Sequence, residues 1–178
     1  MELKEKWKNS KKIYEGKIVD LYVDEVICPN GKLATREVIR HCKAVGIIAK
    51  VGDKFILEKQ YRYPYDEVLI EIPAGKVDEG EDLEKAAIRE LEEETGFYAK
   101  TLTYLGTIYP TVAFCDEKIS IYYASSLIKK ETHPDEDEVV EVYLESLDNI
   151  LKMIKDGKIR DSKTICAFNY YLLNKDNL

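Results

Sequence analysis

The stretch that most constrains this chain runs from Gly75 to Phe97, GKVDEGEDLEKAAIRELEEETGF, where a Gly-containing turn leads into a short amphipathic helix. Leu83, Ala87 and Leu91 recur every four residues, with Ala86 and Ile88 beside them, so one face is apolar and must be covered by a sheet. Gly96 stands where a left-handed C-cap belongs, and Glu81, Asp82 and Glu84 lie where the helix dipole favours negative charge. The other face carries more carboxylate than solubility requires. Seven acids lie between Glu81 and Glu94, against only Lys85 and Arg89.

Glu90 and Glu94 are four residues apart and Glu93 is three from Glu90, which gathers their carboxylates into one patch. Like charges at that spacing cost about 0.2–0.5 kcal/mol per pair on an exposed helix. A hard cation turns that cost into binding: Mg²⁺ takes one or two carboxylates together with waters and substrate phosphates. A set without His or Cys suits Mg²⁺ or Mn²⁺ and argues against zinc. An acidic helix taken alone is more often a solvated face, so spacing has to decide.

The rest of the chain reads as one soluble catalytic domain. With 178 residues, 45% of them hydrophobic and 34% charged, it can bury a real core. The formal charge of −7 argues against nonspecific binding to nucleic acid or to an anionic membrane. Cys28, Cys42, Cys115 and Cys166 form no CxxC pair, and the N-terminus carries no apolar signal segment, so reduced thiols in a cytoplasm are expected. His41 and His133 are too few for a His-rich metal site.

Alternation from Ile13 to Cys28 reads as a strand, Pro29-Asn30-Gly31-Lys32 as a turn, and Leu33 to Arg40 as the returning strand. This N-terminal antiparallel hairpin, residues 1–42, has little core of its own and must pack on its own domain or on a second subunit. Ala44 to Val51 is a continuous apolar run that suits a central strand buried on both faces. Lys54 to Arg62 follows as a strand and ends in the cluster Tyr61-Arg62-Tyr63-Pro64-Tyr65, which suits either base stacking and phosphate pairing or an ordinary surface loop. Val68 to Ile72 is a further strand, in which Glu71 marks either a sheet edge or a site.

After the helix, short strands are expected over Leu102–Leu105 and Thr107–Tyr109, broken at Gly106, and another over Lys118–Ser125. The polar run Lys129 to Glu138 is a loop whose acids could supply a general base. Val139 to Leu144 closes the strands. Ser146 caps a helix with the stripe Leu147, Ile150, Leu151 and Ile154, and a last helix runs from Ser162 to Leu173. The mixed order of elements predicts an α+β domain, an αβα sandwich over residues 43–178, and not a doubly wound sheet.

Gly75, Glu81, Arg89-Glu90-Leu91, Glu93-Glu94, Gly96 and Phe97 stand at fixed offsets that match the Nudix hydrolase signature at every specified position. The chain therefore resembles the Nudix family, whose αβα sandwich with a mixed sheet agrees with the element order. The resemblance implies Glu90, Glu93, Glu94 and the carbonyl of Ala74 as metal ligands and Glu81 as an accessory acid. It counts Arg89, which fixes the ligand geometry, and Glu93 with the catalytic set.

The likeness extends to the ADP-ribose pyrophosphatase branch through PNGKLATREVIRH, EKQYRYPYDEVLIEIPAGKVDEGED and PDEDEVVEVYLESLDNILKMIKDGKIRDSKTICA. It implies Mg²⁺-dependent hydrolysis of ADP-ribose to AMP and ribose 5-phosphate. Arg36, Arg62 and Glu71 would then contact the nucleotide-sugar substrate, and Glu138, with Glu136 as alternative, would be the general base. It also implies a homodimer that exchanges N-terminal hairpins. Val112-Ala113 stands where the branch commonly has proline and glycine. That departure bears on substrate choice, leaving other nucleoside diphosphate sugars, nucleoside triphosphates or a nucleotide-sensing module as alternatives.

Overall fold

The computed structural model describes residues 2–130 and 139–178. The chain divides into two compact units, Met1–Cys42 with Tyr109–Lys118, and Lys43–Ile108 with Ile119–Leu178. In the first, β1 (Lys6–Glu15), β2 (Asp20–Ile27) and β3 (Leu33–Arg40) make a three-stranded antiparallel sheet in that order. Asn30-Gly31 turns β2 into β3 as expected, with Gly31 N–H on the Cys28 carbonyl at 2.8 Å.

The single strand expected from Ile13 to Cys28 is in fact two. The chain turns at Gly16, whose N–H bonds the Val19 carbonyl at 3.0 Å. β1 escaped the sequence pattern because every position on it is exposed, so no side of it needs to be apolar. The segment Tyr109–Lys118 returns to the end of β3, where Ile39 N–H bonds the Phe114 carbonyl at 2.7 Å and Asp116 N–H bonds the Ile39 carbonyl at 3.1 Å. Asp116 also accepts from His41 N–H at 2.7 Å.

The second unit contains β4 (Ala44–Val51), β5 (Lys54–Arg62), β6 (Glu67–Glu71), β7 (Ala74–Lys76), α1 (Leu83–Thr95), β8 (Phe97–Ile108), β9 (Ile119–Lys129), β10 (Val140–Ser146), α2 (Leu147–Lys155) and α3 (Ser162–Asn174). Its seven-stranded sheet runs β10-β5-β4-β9-β8, with β6 added to β5 and β7 to β4. β4 and β9 are parallel and the remaining pairs antiparallel, which makes the sheet mixed. β8 begins directly after the Gly96 cap and is one long strand. Its register shift between Tyr104 and Gly106 is a bulge, where the sequence suggested a break.

Alternation across the central strands sorts the core into two layers. Ala44, Ile48, Phe55, Leu57, Ile119 and Ile121 face Ile150, Ile159, Phe168 and Tyr171 from the α2 and α3 side. Val45, Ile47, Ala49, Ile56, Tyr122 and Ala124 meet Ala86, Ala87 and Leu91 of α1. Both faces of β4 are therefore covered, which accounts for its unbroken apolar run. Phe55 meets the rings of Phe168 and Tyr171 edge-on at 5.5 and 5.0 Å. This is an αβα sandwich of the α+β class.

β4 and β5 are hydrogen-bonded only beside their turn, at Lys50 and Val51. Beyond that they part, and the chain of β6 and β7 enters the gap. β7 pairs Ala74, Gly75 and Lys76 with Gly46, Val45 and Ala44, and Ile47 N–H bonds the Pro73 carbonyl at 2.8 Å. The short segment before α1, which the sequence suggested was a turn, is thus a strand locked into the sheet.

Candidate active site

The acidic face of α1 is set against this locked segment. Asp82 is the N-cap, accepting from Glu84 N–H at 3.0 Å and Lys85 N–H at 3.3 Å, so it lies just before the first turn. Gly96 closes the helix at φ 70°, its N–H on the Glu92 carbonyl. The buried positions are Ala86, Ala87, Leu91, Glu94 and Thr95. Ile88 sits at the margin, in a shallow cleft with Lys85, Arg89, Glu92, Glu93 and Tyr98.

Glu94 and Glu90 bring helix and strand together. Glu94, only 9% exposed, accepts Ala74 N–H at 3.0 Å. Glu90 lies against Gly75: a Cβ added there would come within 2.0 Å of the Glu90 carboxyl carbon. Glycine is needed at 75 for space, since no other residue lets this carboxylate approach the strand.

Arg89 spends all five of its N–H donors in one place. Its Nε and Nη2 meet Glu81 at 3.0 and 2.9 Å, Nη1 meets Glu90 at 2.8 Å and Glu93 at 2.9 Å, and Nη2 also bonds the Lys76 carbonyl at 3.0 Å. The Glu81 hydrogen bonds, reinforced by Glu90, raise the Arg89 pKa against the opposing effect of burial. Glu81 is correspondingly held below the usual carboxylate range, chiefly by Arg89. Glu81, Arg89, Glu90, Glu93, Glu94 and the Ala74 backbone therefore form one neighbourhood.

Four carboxylates against one guanidinium leave a formal surplus of three negative charges. An all-oxygen donor set with that surplus fits a hard divalent cation and not a soft one. Among the described residues, no three acids or other ligating side chains are gathered as a ready ion cage. Arg89 meanwhile occupies Glu90 and Glu93.

Arg62 and Glu71 come together on neighbouring strands. Arg62 Nε and Nη2 bond the two oxygens of Glu71 at 2.7 and 2.8 Å, a bidentate pair, and Lys163 Nζ adds a short ion pair to Glu71 Oε2. Glu71 is 3% exposed. Burial alone would push its pKa up, but Arg62 and Lys163 outweigh that and hold it at about 2. The Arg62 pKa is raised, mainly by Glu71 and against burial, with Asp161 and Glu94 adding to the effect. The negative field of Glu94 thus reaches Arg62.

Arg36 belongs to the first unit. There its Nε bonds Glu5 Oε2 at 3.1 Å, its Nη2 makes a short contact with Glu5 Oε1, and its Nη1 bonds the Thr35 carbonyl at 2.8 Å. Glu136 and Glu138 lie outside the described residues. Tyr63 and Tyr65 are 84% and 71% exposed on a single turn of 3₁₀ helix.

Sequence reasoning missed Lys163, Asp161 and Thr164 at the start of α3, and Glu58, which is 3% exposed and opposite Glu71 in register. The apolar run Phe55-Ile56-Leu57 before Glu58 was an available signal for a buried acid. No comparable signal marked Lys163, because a lysine in a first helical turn is ordinarily solvated.

A family model described as the NUDIX domain matches residues 40–168. The ADP-ribose pyrophosphatase of Bacillus subtilis (strain 168) is 40% identical over 176 residues, covering 97% of this chain and 95% of that one. The methanol dehydrogenase activator of Bacillus methanolicus is 41% identical over 174 residues, covering 96% and 94%. Among solved structures, the crystal structure of an ADP compounds hydrolase superposes with a TM-score of 0.88 at 24% identity, covering 98% of this chain and 96% of that one, a likeness of fold. With the signature residues on α1, the domain match and full-length relatives at this identity, the chain belongs to the Nudix hydrolase family.

Proposed function

We propose that this Nudix hydrolase cleaves the pyrophosphate of ADP-ribose, giving AMP and ribose 5-phosphate. The observation that carries the reading is the 40% identity to an ADP-ribose pyrophosphatase over 97% of the chain. Water adds to one phosphorus, the bond from that phosphorus to the bridging oxygen breaks, and the other phosphate leaves. Nudix hydrolases generally use divalent metals; Glu90, Glu93, Glu94 and the Ala74 carbonyl would hold Mg²⁺ here, with Mn²⁺ as substitute. When bound, the ion neutralises phosphate oxygens and lowers the pKa of a bound water.

The chain's own residues supply the rest. Glu138, with Glu136 as alternative, takes the proton of the attacking water. Arg62, fixed on Glu71 by its Nε and Nη2, offers to a substrate phosphate its Nη1 donors, which carry no hydrogen bond among the described residues. Arg36 reaches substrate by exchanging Glu5 for a phosphate or ribose. Arg89 does not bind substrate, because its donors are all engaged in ordering the carboxylates.

Two further features complete the reading. The first unit buries little apolar surface and leaves Trp7, Tyr14, Ile18 and Leu33 half or more exposed, which supports a homodimer built through this sheet. None of the four cysteines forms a disulfide, which supports a reducing compartment such as the cytoplasm. No helix among the described residues is long and apolar enough to cross a membrane.

The decisive experiment is release of AMP from ADP-ribose by the purified protein with Mg²⁺, with EDTA and GDP-mannose in parallel. EDTA-sensitive AMP release faster than turnover of GDP-mannose supports the reading. Good turnover of another nucleotide but not of ADP-ribose keeps the hydrolase and discards the substrate. A second reading, activation of a partner dehydrogenase, is favoured by the 41% likeness to the Bacillus methanolicus activator. Stimulation of a methanol dehydrogenase that survives Glu94→Gln would separate it from hydrolysis.

A further inference from the structure

The first turn of α3 is joined to the β6–β7 corner by a closed set of polar contacts that the signature does not include. Asp161 caps α3, its Oδ2 accepting from Thr164 N–H at 2.9 Å and from the Thr164 hydroxyl at 2.6 Å. The Thr164 oxygen accepts Ile72 N–H at 2.9 Å, two residues before Ala74. Lys163 lies between the two acids, 3.1 Å from Asp161 Oδ2 and ion-paired to Glu71 Oε2. Lys163 is 8% exposed and Thr164 is wholly buried.

A lysine held this deep must have both charge partners to remain there, since an ammonium without them would be expelled or neutralised. The set is formally neutral, with Arg62 and Lys163 balancing Glu71 and Asp161. Its geometry is also directional. Glu71 has two oxygens and three donors on them, two from Arg62 and one from Lys163. With Lys163 on Oε2 the carboxylate plane has little freedom to rotate, so the guanidinium docked on it is fixed as well. The Arg62 side chain remains 39% exposed on its outer side, where Nη1 carries no hydrogen bond among the described residues.

We propose that Lys163, braced by Asp161, is a positioning residue that locks the Glu71 carboxylate and thereby aims the open edge of Arg62 at a phosphate of the substrate. The assignment rests on Arg62 being the phosphate contact of the proposed function. It makes the start of α3 part of the binding machinery, although Lys163 itself touches no substrate. Without Lys163, Glu71 keeps only its two bonds from Arg62 and the pair can pivot together, so Arg62 samples several directions and binding weakens while the hydrolytic carboxylates of α1 are untouched.

The test is a double-mutant cycle in Arg62→Ala and Lys163→Met, measured as KM and kcat with Mg²⁺ on the pyrophosphate-linked nucleotide that the wild-type protein hydrolyses best. Arg62→Ala is expected to raise KM by tenfold or more, a loss of about 1.4 kcal/mol. Lys163→Met is expected to raise KM by about as much with kcat within about threefold of wild type, and Lys163→Arg to restore most of the affinity. In the Arg62→Ala background, Lys163→Met is expected to change KM no further. Where Lys163→Met does not fold, Lys163→Gln takes its place, with the thermal melt recorded for each variant.

Independent, additive effects of the two substitutions, or a KM unchanged in a folded Lys163 variant, overturn the positioning role and leave the proposed function standing. An Arg62→Ala variant with wild-type KM overturns both the positioning role and the phosphate contact. Failure of the wild-type protein to hydrolyse ADP-ribose, with the cycle intact on another nucleotide, overturns only the substrate.

Discussion

Gly75 and Glu90 make the sharpest statement at the scale of single residues, because one contact separates the needs of the fold from those of the site. The three atoms nearest to a Cβ at position 75 all belong to the Glu90 carboxylate, the end of a flexible side chain which can swing away. Gly75→Ala should therefore leave the thermal melt within a few degrees of wild type, a change of about 1 kcal/mol or less. Turnover and divalent-metal affinity should fall by tenfold or more, because the displaced Glu90 carboxylate no longer stands against β7 at Gly75. A melt lowered by 15 °C or more would show that Gly75 serves packing. Glu94→Gln is the companion experiment: almost isosteric, it should abolish metal-dependent turnover with the circular dichroism spectrum unchanged, and near-normal turnover would remove Glu94 from the proposed ligand set.

At the scale of elements, the corner between β6 and β7 is held from three sides: by β4 through Ile47, by α1 through Glu94, and by α3 through Thr164 and Lys163. Glu71 reports on the last of these. Its folded pKa of about 2 lies below the ordinary value of 4.5, so its contribution to stability is fully present above pH ~4.5 and is lost as pH falls through about 2. The shift corresponds to a contribution on the order of 3 kcal/mol. The urea midpoint of wild type should exceed that of Glu71→Gln most clearly near pH 6, and the gap should narrow as pH falls from about 4.5 toward 2. A gap independent of pH would mean that the carboxylate charge is not what holds the corner.

The same elements show which parts of the fold could be read from sequence. α1, its Gly96 cap and the fully covered β4 were legible because each has a local signature, a 3.6-residue stripe, a left-handed stop or an unbroken apolar run. β7 was not, since three residues carry no period and its strand character comes entirely from pairing with β4. β1 was hidden for the opposite reason, every side chain on it being exposed. At the site, the α1 acids and Arg89 stood at recognisable offsets on one helix. The link from Lys163 to Glu71 spans 92 residues and exists only after the sheet has brought α3 beside β6.

For the molecule as a whole, the first unit raises the question of what covers it. Among the described residues of that unit, only Val26 of the hydrophobic residues and Asp24 of the polar ones are buried. Its ordered shape rests on backbone pairing and on ion pairs such as Lys8 with Glu25 and Lys12 with Asp20, contacts that contribute little when solvated. Trp7 is 65% exposed and Leu33 63%. A three-stranded sheet with so little buried apolar surface is marginal alone, and pairing of two copies through it would supply the missing burial at about 25 cal/mol for each Å² covered. Sedimentation equilibrium at micromolar concentration should therefore give the mass of two chains. Trp7→Glu should shift the protein toward one chain without altering the melt of the αβα unit, whose core contains none of these side chains. A monomer in wild type at the highest concentrations would mean that the sheet is stable by itself.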